Sequence, residues 1–89
     1  MEIRDRFSVN LRRAREAKGV SQEELGFTCD LHRTEISLLE RGGREPRLGT
    51  LLKLSQALDV TPEELSAGIQ WSPGKRRFKI EKPKEPPKR

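Results

Sequence analysis

The sequence predicts an all-α fold in which five short helices pack into one compact bundle. Three observations favour this class. Apolar side chains recur at intervals of three and four residues, and helix-capping residues separate the periodic stretches. Neither a strand-like alternation nor an internal repeat competes with this pattern over the first 71 residues. A length of 89 residues allows one small domain.

The first predicted helix covers about residues 5–18. Phe7, Leu11 and Ala14 lie on one face of it, which is the spacing of an amphipathic helix. Gly19 follows as its stop, because helices commonly end at a residue with positive φ.

Two shorter helices are predicted next. Ser21 and Glu24 form a capping box that starts the second helix, which runs through Thr28. After a break, a third helix covers about residues 33–41 and ends at the glycine pair 42–43.

The fourth and fifth helices complete the predicted bundle. Pro46 stands just before the fourth helix, whose apolar stripe we expect to be core and which consists of Leu48, Leu51, Leu52, Leu54 and Leu58. The fifth helix opens with Thr61 as the N-cap, Pro62 at N1 and Glu64 at N3.

The charge distribution divides the chain after Trp71. Residues 1–71 have a net charge of −1, whereas residues 72–89 have a net charge of +6 and four of the six prolines. A stretch with so few apolar residues does not bury enough apolar surface to offset the entropy lost on ordering. We therefore expect a disordered basic tail over 72–89. Within it, residues 77–80 alternate apolar and basic side chains, so a short strand remains an alternative for this segment.

Several classes of function find no support. Cys29 is the one cysteine, which excludes an internal disulfide, and together with His32 it supplies too few ligands for a metal. No catalytic constellation, cofactor site or small-molecule pocket is identifiable. Short apolar runs and a polar N-terminus exclude a membrane span and a signal peptide, so we expect a cytoplasmic protein.

Residues 22–41 have the pattern of two short helices that pack nearly perpendicular. The inward positions are occupied by Leu25 and Cys29 on the first helix, Ile36 and Leu39 on the second, and Leu31 at the corner. Gly26 permits the close approach of the helices, and Asp30 tolerates the left-handed backbone of the turn. These demands describe a helix-turn-helix, whose second helix is presented to the major groove of DNA.

The chain from about residue 11 to residue 71 resembles the Xre/Cro repressor-type helix-turn-helix family. The motifs that carry the resemblance are SQEEL (21–25), LHRTEISLLERG (31–42), EPRLGTLLKLSQALDV (45–60) and TPEEL (61–65). The LHRT-IS stretch is most similar to the controller proteins of restriction-modification systems. The resemblance implies a lambda-repressor-like DNA-binding domain over residues 1–71, with the helix-turn-helix at 22–41.

The resemblance also implies roles for individual residues. Contacts with base edges are expected from Arg33, Thr34, Ser37 and Leu38, and contacts with DNA phosphates from Gln22, Arg41, Arg44 and Arg47. Arg15 and Glu40 match a buried family ion pair of architectural role.

Three residues depart from the family pattern. Asp30 stands where glycine is usual, and His32 stands where Ser or Thr commonly caps the recognition helix, which weakens that cap. Glu35 lies near the expected DNA face. Its carboxylate either accepts from cytosine N4 or completes a helix cap, and we favour the cap.

We therefore expect a transcriptional regulator of the repressor type that binds double-stranded DNA at the nucleoid. Useful specificity requires two half-sites about 34 Å apart, hence a homodimer on a palindromic operator. Its interface is expected to include Leu65, Ile69 and Trp71, and the basic tail is expected to strengthen binding without sequence preference. The alternative is a protein-interaction module such as an antitoxin or a coactivator-like adaptor.

Overall fold

Five helices and one β-hairpin follow one another along residues 1–84, the part of the chain that the computed structural model describes. The elements are α1 (Ile3–Lys18), α2 (Gln22–Cys29), α3 (Arg33–Glu40), α4 (Leu48–Leu58), α5 (Pro62–Leu65), β1 (Ile69–Ser72) and β2 (Arg77–Ile80). The predicted tail extends beyond them, and its residues 85–89 lie outside the described residues.

Local capping sets the helix boundaries. At α2, the Ser21 hydroxyl accepts from the backbone N–H of Glu24 at 3.0 Å, and the Glu24 carboxylate accepts from the Ser21 N–H at 2.9 Å. Thr61 and Glu64 repeat this box at α5, with distances of 3.1 and 2.6 Å. Gly19 ends α1 with a φ of 77°. The short-range signals of the sequence therefore locate the observed helix ends closely.

The hydrophobic core lies where the five helices meet. It consists of Phe7, Leu11, Leu25, Cys29, Ile36, Leu39, Leu54, Leu58 and Leu65. Full burial of such a side chain contributes about 1.5–3 kcal/mol, so this cluster is the main stabilising term of the fold. One expectation needs correction: Leu48 and Leu52 are exposed, because α4 turns only the face of Leu54 and Leu58 inward.

The hairpin corrects the all-α expectation. Strands β1 and β2 pair antiparallel, with Ile69 opposite Ile80 and Trp71 opposite Phe78. These four side chains share one face of the two-stranded sheet, because alternate residues of a strand point the same way. The Trp71 and Phe78 rings meet edge to face, with centroids 5.1 Å apart. Cross-strand packing thus orders residues that were expected to belong to a disordered tail, and the boundary predicted after Trp71 falls inside the hairpin.

Helix α1 holds the hairpin through three side chains. Arg6 Nε donates to the carbonyl of Ala67 at 3.0 Å, and Asn10 Nδ2 donates to the same carbonyl at 2.9 Å. Arg13 donates to the carbonyl of Lys84. The hairpin is therefore fixed against the helical domain. Among residues 1–84, no helix is both long enough and apolar enough to cross a bilayer.

Candidate nucleic-acid interface

The corner between α2 and α3 has the geometry that the sequence requires of a helix-turn-helix. Asp30 adopts φ 55° and ψ 43°, in the left-handed region. The Leu31 N–H donates to the Gly26 carbonyl at 2.8 Å, which closes the turn. A Cβ at Gly26 would lie only 2.7 Å from the Leu31 carbonyl oxygen. Only glycine fits this position without a backbone shift, so Gly26 sets the approach of the two helices.

Helix α3 has a buried side and an exposed edge. Ile36 and Leu39 are completely buried in the core, whereas Arg33 and Thr34 at the first turn are exposed. Ser37 and Leu38 are half-buried beside them. The two buried residues fix the rotation of the helix about its axis. The polar edge of α3 is therefore directed away from the domain.

His32 caps α3 in the place of the usual Ser or Thr. Its ring Nδ1 accepts from the backbone N–H of Thr34 at 3.2 Å and lies 2.9 Å from the Thr34 hydroxyl. An accepting Nδ1 requires that the ring proton be carried by Nε2. The imidazole thus replaces the hydroxyl of the usual Ser or Thr cap and orients the side chain of Thr34.

Glu35 is neither free nor a helix cap. Its carboxylate accepts from the guanidinium of Arg44, which lies in the segment after α3. This ion pair neutralises the carboxylate of Glu35 beside the exposed edge of α3. The favoured prediction of a capping role for Glu35 is wrong, because Arg44 offers its carboxylate a charged donor.

A buried network joins the first three helices. Arg15 Nε and Nη2 donate to the Glu40 carboxylate at 2.5 and 3.0 Å, and Gln22 Nε2 donates to Glu40 at 3.2 Å. The Arg15 and Glu40 side chains are 14% and 4% exposed. Hydrogen bonding to Glu40 raises the pKa of the Arg15 guanidinium. The amide nitrogen of Gln22, expected at a phosphate, is therefore directed to Glu40.

The remaining predicted phosphate contacts lie after α3. Arg41, Arg44 and Arg47 are all exposed, and Arg41 Nε also donates to the carbonyl of Ser37 at 3.3 Å. Neither Arg33 nor Arg47 forms an ion pair with any residue in the range 1–84. These two guanidinium groups are thus available to an external anion.

The three residues expected at a dimer interface have different environments. Leu65 is 1% exposed and belongs to the core, so the prediction that it lies at a dimer interface is wrong. Ile69 is half-buried against the core. Trp71 is 53% exposed and meets the ring of Phe78 edge to face, and Phe78 is 48% exposed. Sequence reasoning missed Phe78 as part of this surface, although the alternation over 77–80 was a signal for it.

Cys29 has the environment of a core residue. Burial raises the pKa of its thiol, and its Sγ donates to the carbonyl of Lys53 at 3.6 Å. Within residues 1–84, no group of three His, Cys, Asp or Glu side chains is arranged to hold a metal ion.

Comparisons with known proteins agree with this geometry. Residues 11–65 match the family described as helix-turn-helix. Control protein C.BamHI of Bacillus amyloliquefaciens is 48% identical over 64 residues, which cover 71% of this chain and 79% of the relative.

Solved structures give the same result. The restriction-modification controller protein C.AhdI from Aeromonas hydrophila superposes with a TM-score of 0.67 at 45% identity, over 70% of this chain and 94% of that chain. The P22 c2 repressor in complex with synthetic operator 9T gives a TM-score of 0.63 at 32% identity, over 66% and 89% of the two chains. The chain belongs to the helix-turn-helix family and is a sequence-specific DNA-binding transcriptional regulator, not an enzyme.

Proposed function

We propose that this regulator acts as a homodimer on a palindromic operator, with α3 of each copy inserted in the major groove of one half-site. The observation that carries the proposal is the contrast along α3. Ile36 and Leu39 are buried in the core, while Arg33 and Thr34 face solvent at the N-terminal end of the helix. A recognition helix reads base edges with residues near its N-terminus, so this is the end that must be free.

The residues at this end have chemistry suited to base recognition. Arg33 is exposed and has no ion-pair partner in the described part of the chain, so its guanidinium can form a bidentate pair with guanine O6 and N7. Thr34 and Ser37 supply hydroxyl groups, and Leu38 offers an apolar contact for a thymine methyl group. Arg33 is proposed to contribute the largest base discrimination, about 1–3 kcal/mol.

Phosphate contacts are proposed from both sides of α3. Arg41 and Arg47 follow the helix and are exposed. Arg44 retains free guanidinium donors while it neutralises Glu35, because an arginine carries five N–H groups. Gln22 begins α2, where backbone N–H groups favour an anion. Its amide nitrogen carries two N–H groups, so one can donate to a phosphate while the other donates to Glu40. Such contacts fix the orientation of the protein on the duplex.

The homodimer is proposed to form through the aromatic face of the hairpin. One domain of this size reads only a few base pairs, so two copies are needed for a site of useful specificity. Trp71 and Phe78 form a half-exposed aromatic pair, and aromatic side chains are typical anchors of interfaces. Phe27 on α2 is a matched control, because it is 89% exposed but lies on a different element. Sedimentation equilibrium should show a weaker dimer for Phe78→Ala and an unchanged one for Phe27→Ala.

Selection of bound sequences from a random duplex pool tests base recognition. The parent protein should select a palindromic consensus. Arg33→Ala should then lose preference for that consensus by about 5–160-fold, the equivalent of about 1–3 kcal/mol, while it retains weak binding to any duplex. Lys53→Ala, which removes an exposed charge from α4, is the control and should keep the preference. A parent protein that selects no consensus would contradict the proposal and favour the adaptor function.

A further inference from the structure

The second face of the C-terminal hairpin is polar and strongly basic. Gln70 and Ser72 on β1 share this face with Arg77 and Lys79 on β2, opposite the aromatic face. The turn between the strands adds Lys75 and Arg76, which are exposed. We call Lys75, Arg76, Arg77 and Lys79 the basic hairpin surface. It lies outside residues 11–65, the part that matches the helix-turn-helix family.

The charge of this surface is not neutralised by the domain that carries it. All four of its cations are exposed, and none forms an ion pair with a residue in the range 1–84. Residues 69–84 contain six Lys or Arg and one Glu, a net charge of +5. Like charges so close together repel one another, and an external polyanion is the partner that relieves this repulsion.

The backbone at Arg76 is a separate observation. Arg76 adopts a φ of 54°, a left-handed conformation in which glycine is unstrained and a side chain is costly. The turn therefore presents a cation at a position where glycine would suit the fold better. Strain of this kind is commonly tolerated at functional sites.

The surface is also held in a fixed position. Arg6 and Asn10 of α1 donate to the carbonyl of Ala67, just before β1, and the Glu81 N–H donates to the Gly68 carbonyl at 2.8 Å, just after β2. The cations thus belong to an ordered ribbon and not to a freely moving tail. An ordered element loses less conformational entropy on binding.

We infer that the basic hairpin surface is a second DNA-contact element, which binds duplex phosphates outside the base pairs read by α3. The inference rests on the proposed function, because it assigns the hairpin to the same DNA. Its contacts are electrostatic, so they strengthen binding to every sequence and add to the salt dependence of the affinity.

Two sets of variants test the inference. Arg76→Gly removes one charge and relieves the left-handed backbone, so its thermal stability should equal or exceed that of the parent. The double variant R77Q/K79Q removes two charges from the polar face. Lys53→Gln is the matched control, since Lys53 is exposed on α4 and also has no ion pair within residues 1–84. Affinities for the selected operator and for a scrambled duplex are measured by fluorescence anisotropy over a series of salt concentrations.

The slope of log affinity against log salt is the decisive quantity. It should become shallower by about 0.9 for Arg76→Gly and about 1.8 for R77Q/K79Q, one phosphate contact per charge. If parent and variant have equal affinity at 1 M salt, these slopes correspond at about 0.1 M salt to a loss of affinity of about 8-fold for Arg76→Gly and about 60-fold for R77Q/K79Q. Operator and scrambled duplex should lose affinity equally, and Lys53→Gln should keep the parent slope.

Failure of this inference is distinguishable from failure of the proposed function. Parent slopes in both hairpin variants would overturn the inference, whatever the result with Arg33→Ala. An equal change of slope in Lys53→Gln would also overturn it, because net charge alone would then be responsible. Loss of preference in Arg33→Ala tests α3 only, and the hairpin variants should retain the parent's preference for the operator.

Discussion

The buried ion pair between Arg15 and Glu40 allows a quantitative prediction about stability. Replacing Glu40 by alanine removes an acceptor of three hydrogen bonds, from Arg15 at 2.5 and 3.0 Å and from Gln22 at 3.2 Å. It leaves a guanidinium that is 14% exposed without its counter-charge. Breaking a buried pair in this way costs about 3–5 kcal/mol.

The lower end of that range applies here. Arg15 Nη1 keeps its hydrogen bond to the Val20 carbonyl at 2.9 Å, and the partial exposure of its side chain admits water. We therefore expect Glu40→Ala to lower the free energy of unfolding by about 3 kcal/mol. In a domain of this size, the melting temperature should fall by about 12–24 °C.

Thermal and urea unfolding followed by circular dichroism measure this effect. The matched control is Glu16→Ala, which breaks an exposed ion pair with Arg12 at 3.4 Å and should cost less than about 1 kcal/mol. The double variant R15M/E40M, which replaces both charges by apolar side chains, should recover most of the loss. The reasoning is refuted if Glu40→Ala is no more destabilising than Glu16→Ala.

Three further predictions concern stability and reactivity. Gly26→Ala should lower the free energy of unfolding in urea by about 1–3 kcal/mol, because the added Cβ meets a backbone oxygen. Gly49→Ala, with open space around the added Cβ, should raise it by up to about 1 kcal/mol. Equal effects would contradict the packing argument. The hydrogen bond from the Ser21 backbone N–H lowers the pKa of Glu24 below its ordinary 4.5, so this stabilisation is present above pH 4.5 and is lost as the pH falls through the lowered value. Glu24→Gln should flatten that acid limb, and an unchanged limb would count against the box. Burial raises the pKa of the Cys29 thiol above its ordinary 9.0, so stability should decline above pH 9 as the unfolded chain releases its thiol proton. A thiol reagent should react with Cys29 only as fast as the domain opens, and fast labelling of the native protein would disprove this.

The helical part of the fold follows from short-range rules. Capping boxes at Ser21 and Thr61 and the stop at Gly19 depend only on residues within one turn, so the sequence determines them directly. The corner of the helix-turn-helix is equally local, since Gly26 and Asp30 satisfy a close approach and a left-handed turn within a few residues. The orientation of α3 follows from this corner.

The differences arise where a side chain or strand has a distant partner. The alternation over residues 77–80 leaves a short strand open but does not identify its partner. Strand β2 is ordered by its pairing with β1, where Trp71 and Phe78 pack across the hairpin. The carboxylate of Glu35 finds Arg44 nine residues away, which no helix-capping rule anticipates. The broad leucine stripe of α4 does not reveal which face is inward, so it predicts Leu48 and Leu52 as core although both are exposed.

Protection of guanine N7 from methylation tests the central claim, that the exposed edge of α3 reads bases in the major groove. On the selected operator, the parent protein should protect guanines at two positions about 10–10.5 base pairs apart, related by the two-fold axis of the palindrome. Arg33→Ala should lose that protection under conditions in which it still occupies the duplex. Protection that is unchanged in Arg33→Ala, or that is absent from the major groove with the parent protein, would contradict the account.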